Sequence, residues 1–281
     1  MILSRFRQLT LAISTILGNS YFASAFTKFV NINSLKGICV PVLNCYSCPS
    51  ALFSCPIGTL QHFAAIQTIP FYLLGWIGLI GMAVGRMACG WVCPFGFLQD
   101  LMHKVSSPKY KVPVFLGYLK YVILIFLVVF VPYKTGEVWF SKLCPAGNLT
   151  AALPWVLWDP VNFATGQRVL VNEPRGIFYV ALFILAGFLI WFVLSKRPFC
   201  KVACPMGALF SFFNRYSVIR LEVSPRCDGC QICQTNCPMD LTLPEEVDSK
   251  ECIRCLECTR CGFVKVVSPS FFPRAAPWKM S

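Results

Sequence analysis

Arg86-Met-Ala-Cys89-Gly-Trp-Val-Cys93-Pro-Phe-Gly96 returns later in the chain as Arg197-Pro-Phe-Cys200-Lys-Val-Ala-Cys204-Pro-Met-Gly207. Both read R-x-x-C-x-x-x-C-P-x-G. A shorter C-P-x-G stands at Cys55-Pro-Ile-Gly58 and at Cys144-Pro-Ala-Gly147. The order span, outer C-P-x-G, span, inner R-x-x-C-x-x-x-C-P-x-G therefore occurs twice, which predicts a duplicated architecture with both inner motifs on one face. Proline directly after cysteine suits the first helical position. Each cysteine is then expected to cap a helix, its sulfur beside unsatisfied N–H groups and the positive dipole end, a favourable seat for an anion. Short apolar stretches at 97–102 and 208–213 read as interfacial helices. The competing reading, cysteines as small buried apolar residues, sits poorly with four recurrences of C-P-x-G.

Around the motifs the chain reads as membrane. Hydrophobic residues make up 56% and charged residues 13%, and four apolar stretches approach the roughly 20 residues that cross a bilayer core. They run approximately Leu9 to Phe29, Ile69 to Ala88, Pro113 to Tyr133 and Gly176 to Leu194. The first carries Ser14, Thr15, Asn19 and Ser20 and is expected to face protein; it is read as a retained helix, with a cleaved signal peptide as the rival. Arg5 and Arg7, then His103, Lys104, Lys109 and Lys111, then Lys196, Arg197 and Lys201 mark the cytoplasmic sides by the positive-inside rule. Both termini are thus expected in the cytoplasm, in the inner membrane of a prokaryote.

Cys227, Cys230, Cys233 and Cys237-Pro238 form C-x-x-C-x-x-C-x-x-x-C-P, followed by Cys252, Cys255, Cys258 and Cys261. Such paired runs hold two 4Fe-4S clusters, three thiolates of each run binding one cluster and the fourth reaching across. The expected sets are Cys227, Cys230, Cys233 with Cys261, and Cys252, Cys255, Cys258 with Cys237. The second run closes early and lacks the proline. Structural zinc is the competing donor chemistry. The formal charge of +13 is no nucleic-acid signal, because each cluster with its four thiolates adds about −2.

A third cluster is expected at the cytoplasmic membrane surface, shared by Cys89, Cys93, Cys200 and Cys204, with Arg86 and Arg197 offsetting its charge. A fourth is expected from Cys45, Cys48, Cys55 and Cys144 on the outer side, with Cys39 as a spare ligand and disulfides as the alternative. The fold class is accordingly an α-helical membrane protein of four transmembrane helices in two tandem two-span repeats with interfacial helices, plus a small C-terminal α+β bacterial-ferredoxin-like module. The boundaries fall at 1–216, 217–268 and a tail, 269–281.

At these residues the chain resembles the membrane-bound polyferredoxin family that includes NapH-type quinol dehydrogenase subunits and the membrane part of NosR-type proteins. The resemblance rests on four spans, the Cys89/Cys93 and Cys200/Cys204 motifs and the Cys227 to Cys261 module, and covers most of the chain. It implies an electron-transfer subunit of an oxidoreductase complex, exchanging electrons with the quinone pool or with redox subunits on one or both membrane faces. The outer cysteines exceed the shared pattern, and no large outer flavin-carrying domain is present.

Lys120, inside the third span, is a candidate contact for a quinone head group or a cluster, with snorkelling to the interface the favoured alternative. Gly78, Gly81 and Gly85 read as a close-packing helix face. His62 and His103 are expected on opposite membrane sides, which argues against a bis-histidine haem, and no C-x-x-C-H occurs. Three function classes remain: an electron-transfer subunit, a quinol dehydrogenase with its own quinone site, and a thiol- or metal-handling membrane protein.

Overall fold

The computed structural model describes residues 2–21, 24, 26, 34–158, 176–227, 229–243 and 245–267. Most of 22–33, the loop at 159–175 and the tail from 268 onward lie outside the described residues.

Two helices are long and apolar enough to cross a hydrocarbon core, Val114–Thr135 with 22 residues and Gly176–Leu194 with 19. At about 1.5 Å per residue each reaches on the order of 30 Å. Only 17% of the most apolar window of either is buried within the protein. Phe183 and Ile125 project outward at 81% and 68% exposure, a face that water would penalise and lipid would not. The other two expected spans differ. The helix Phe71–Val84 has 14 residues, about 21 Å long, because Gly85 turns left-handed at φ +58 and the chain restarts as Met87–Trp91. The first helix runs Ile2–Gly18, so Arg5 and Arg7 lie within it. Arg7 is buried there because Asp100 and Glu257 both pair with it, at 3.2 and 3.1 Å.

The helix Val114–Thr135 is irregular. Its middle, Ile123–Phe130, widens to a π-helix just before Pro132, which has no N–H to return to the preceding turn. Gly136, left-handed at φ +69, ends it.

Each C-P step starts a helix as expected. Cys55, Cys93, Cys144 and Cys204 are extended caps, each followed by proline at the first helical position. The two halves share one core, in which Phe95 of the first packs edge-on against Phe199 and Phe192 of the second, with centroids 5.1 and 5.6 Å apart. A Cβ at Gly81 would stand 2.5 Å from the Phe213 ring, whereas Gly78 has nothing within 4 Å. The close face is therefore the Gly81/Gly85 pair.

The C-terminal module is a small α+β unit. Strands β1 (Arg220–Val223) and β2 (Val264–Val267) pair antiparallel, with Arg220 opposite Val267. Between them lie a short helix, Ile232–Asn236, and a 3-10 turn, Glu257–Cys261. The module docks closely on the membrane half. A Cβ at Gly90 would meet the Ile253 carbonyl at 2.7 Å, Trp91 Nε1 donates to the Arg254 carbonyl at 3.0 Å, and Asn214 Nδ2 donates to the Cys252 carbonyl at 2.6 Å. Arg254 is wholly buried. Its guanidinium reaches Asp248 at 2.8 Å and the Asn214 carbonyl at 2.7 Å.

Gly81→Leu is expected to destabilise the protein by about 1–3 kcal/mol, the usual cost of overpacking, and Gly78→Leu to change it little. Thermal unfolding of the purified protein in detergent checks the pair, and equal melting temperatures would contradict the packing.

Candidate metal centres

Cys89, Cys93, Cys200 and Cys204 converge on one cavity, closed by Val42, Leu43, Arg86, Phe95, Phe199, Met206 and Gly207. Both repeats contribute equally. Their crossing is reciprocal, because a Cβ at Gly207 would stand 2.9 Å from Arg86 Nη2, and one at Gly96 would stand 3.4 Å from the Arg197 guanidinium. Each arginine thus lies over the C-P-x-G glycine of the other half. That contact explains why the motif ends in glycine.

Two of the sulfurs accept N–H hydrogen bonds. Gly207 N–H donates to Cys204 Sγ at 3.3 Å, and Gln99 Nε2 donates to Cys200 Sγ at 3.2 Å. Burial pushes the Cys93 thiol up to about 12. Metal must displace those protons on binding, since thiolate is the ligand.

A second cavity is lined by Cys45, Cys55 and Cys144, with Leu43, Tyr46, Gly58, Phe140 and Gly147. Cys48 stands behind Cys45 rather than on the cavity wall. Its sulfur contacts Ser50 Oγ at 3.2 Å, and Lys36 Nζ donates to its carbonyl at 3.0 Å. Cys39 is set apart, its sulfur 3.3 Å from Thr59 Oγ1. Cys55 and Cys144 again cap helices that begin at the following proline. Burial pushes Cys45 and Cys55 up to about 12.

In the module, Cys237 joins Cys252, Cys255 and Cys258 around a third cavity, the crossed set that the spacing predicts. Cys233 lies near Cys261 and Cys227, while Cys230 is exposed. This puts Cys261 on the side of the first run.

Among the described residues no three His, Cys, Asp or Glu side chains are arranged to hold a single metal ion. Thiols spread around a cavity suit a multi-iron cluster better than one ion. Arg86 adds a second sign of an absent anion, since its Nε and Nη2 are buried without a hydrogen-bond partner.

Lys120 neither snorkels nor stands free for a quinone. It is fully buried and pairs with Glu251 of the module, which also accepts from Arg86 Nη1 at 2.9 Å. Burial would raise the Glu251 carboxyl, but Arg86 and Lys120 outweigh it and hold the group down at about 2. Arg197 is paired differently, its Nε and Nη2 each 2.6 Å from Asp100 and its Nη1 2.8 Å from the Cys89 carbonyl. Sequence reasoning missed Glu251, Asp100 and Leu43. A comparison of the positions just after each inner motif would have exposed Asp100, because its counterpart is Ser211.

The family described as "4Fe-4S binding domain" matches twice, at residues 68–113 and 177–224, once on each inner motif. Among curated proteins, an uncharacterized protein of Methanocaldococcus jannaschii is 33% identical over 192 residues, covering 65% of this chain and 71% of its own. A second uncharacterized protein of that organism is 30% identical, covering 64% of this chain and 62% of its own. The ferredoxin-type protein NapH of Escherichia coli K12 is 26% identical over 216 residues, covering 71% of this chain and 65% of its own. No solved structure matches. The protein is thus a ferredoxin-type 4Fe-4S electron-transfer protein.

Cys93→Ser and Cys204→Ser, one from each repeat, are each expected to abolish the same EPR signal and to lower the iron count equally. Survival of that signal in either variant would mean two separate centres instead of a shared one.

Proposed function

We propose that this chain, which belongs to the ferredoxin-type membrane polyferredoxin family, is a membrane-bound subunit. It passes electrons between the quinone pool or an extracytoplasmic redox partner and a cytoplasmic partner. The observation that carries this reading is Leu43. It lines both the Cys45/Cys55/Cys144 cavity and the Cys89/Cys93/Cys200/Cys204 cavity. We read the outer and inner sets as neighbours across this shared wall.

Sequence alone placed a hydrocarbon core of about 30 Å between the two faces. We read the segment 40–44, non-helical and buried at Val42, Leu43 and Asn44, as an inward dip that shortens that separation. Val42 N–H donates to the Val40 carbonyl at 2.6 Å and Asn44 N–H to the Val42 carbonyl at 3.2 Å, which makes irregular backbone tolerable at membrane depth. On the other side, the inner set adjoins the module. Cys89 packs in one apolar cluster with Cys255 and Ile253, and a Cβ at Gly90 would lie 3.5 Å from the Cys255 Cα.

In this reading four cysteine sets act in series: Cys45, Cys55 and Cys144, with Cys48 adjoining Cys45 outside the cavity wall; Cys89, Cys93, Cys200 and Cys204; Cys237, Cys252, Cys255 and Cys258; and Cys227, Cys230, Cys233 and Cys261. Bound 4Fe-4S clusters supply one-electron redox chemistry at potentials set by charge, hydrogen bonding and exposure. The protein's part is to hold the sets at close range within buried, apolar packing. Positive residues on the 86, 104–111 and 196–201 segments favour both termini and the module on the cytoplasmic side.

Two measurements test the proposal. Reporters fused near Lys109 and at the C-terminus are expected to read cytoplasmic, and one near Thr165 extracytoplasmic; the reverse pattern would overturn the orientation. In sealed vesicles, an impermeant reductant on the outer side is expected to bleach the module's visible absorbance. That rate should fall at least tenfold in Cys144→Ser and persist in Cys39→Ser, whereas equal rates in wild type and Cys144→Ser would remove the outer set from the path.

A further inference from the structure

The two inner arginines occupy matching positions in the repeat, yet they are bonded unequally. Arg197 is saturated, with Nε and Nη2 on Asp100 and Nη1 on the Cys89 carbonyl. Asp100 follows Gly96 at the offset at which Ser211 follows Gly207, so the second repeat has no carboxylate of its own for Arg86. Glu251 fills that place from the C-terminal module. It binds only Nη1, which also donates to the Lys250 carbonyl at 3.0 Å. Nε and Nη2 remain without partners although Arg86 is wholly buried. The guanidinium lies over Gly207, lines the four-cysteine cavity and reaches Cys89, whereas Arg197 is absent from that lining.

We infer that Arg86 is a binding residue of the inner centre, its free Nε and Nη2 donating hydrogen bonds to the anionic cluster or its thiolates, while Arg197 serves to hold Asp100 and the Cys89 carbonyl. Buried N–H groups on a cation are costly to leave unmade, and a thiolate-ligated cluster is the acceptor that the cavity's chemistry offers. Glu251 holds the fork in its aim through Nη1. Because Glu251 belongs to the module, the field at the inner centre depends on the module being docked. Lys120 shares the carboxylate and Tyr121 OH donates to it at 3.2 Å, so the aim is fixed from the membrane side as well.

This inference rests on the reading of Cys89, Cys93, Cys200 and Cys204 as one 4Fe-4S site. The inner signal is identified as the one lost in both Cys93→Ser and Cys204→Ser, and the test is its midpoint potential together with its exchangeable-proton couplings in pulsed EPR. In Arg86→Gln the strongest exchangeable coupling is expected to vanish and the potential to fall, because a positive charge that favours the reduced state is gone. Glu251→Gln should keep the coupling and raise the potential, and Arg197→Gln should keep the coupling. If Arg86→Gln fails to load iron, Arg86→Lys retains the charge without the fork, and the same coupling must disappear. A coupling that survives in the loaded Arg86 variant, or is lost in Arg197→Gln, overturns the inference. Absence of any inner four-iron signal from the wild-type protein would instead remove the site itself.

Discussion

The architecture depends on two arginines that each cross over a glycine of the opposite repeat. Arg86 over Gly207 and Arg197 over Gly96 can approach so closely only because no Cβ stands in the way. The crossing brings four sulfurs and the Arg86 guanidinium to one cavity, with Arg197 outside its wall. A buried cation is tolerable only with a partner, so each arginine draws in a carboxylate. Asp100 comes from within the membrane half. Glu251 comes from the module, and its recruitment fixes where the module sits.

The helix caps work on the same principle at smaller scale. A cysteine followed by proline caps the helix in extended conformation at Cys55, Cys93, Cys144 and Cys204, and at Cys204 the sulfur accepts from the Gly207 N–H. Burial pushes the Cys55 and Cys93 thiols up, and the helix dipole ends favour the thiolate that metal binding requires.

Much of this was legible from residues alone. The repeat, the caps and the crossed ferredoxin sets follow from fixed spacing, which is local information. Helix lengths were less legible: Ile69 to Ala88 reads as one apolar run, but Gly85 breaks it, since hydropathy does not register a left-handed turn. Lys120 was misjudged for a related reason. An apolar context predicts snorkelling only if no acid arrives from elsewhere, and Glu251 lies far along the chain. Leu43 carried no signal, being one apolar residue in a loop whose inward path is set by packing around Val42 and the Cys39–Ser54 bridge.

The division of the carboxylates between the two halves also limits what can be cut away. Arg197 meets Asp100 within the helical half, whereas Arg86 and Lys120 share Glu251 of the module, so any truncation that removes the module takes away the acid that both cations share.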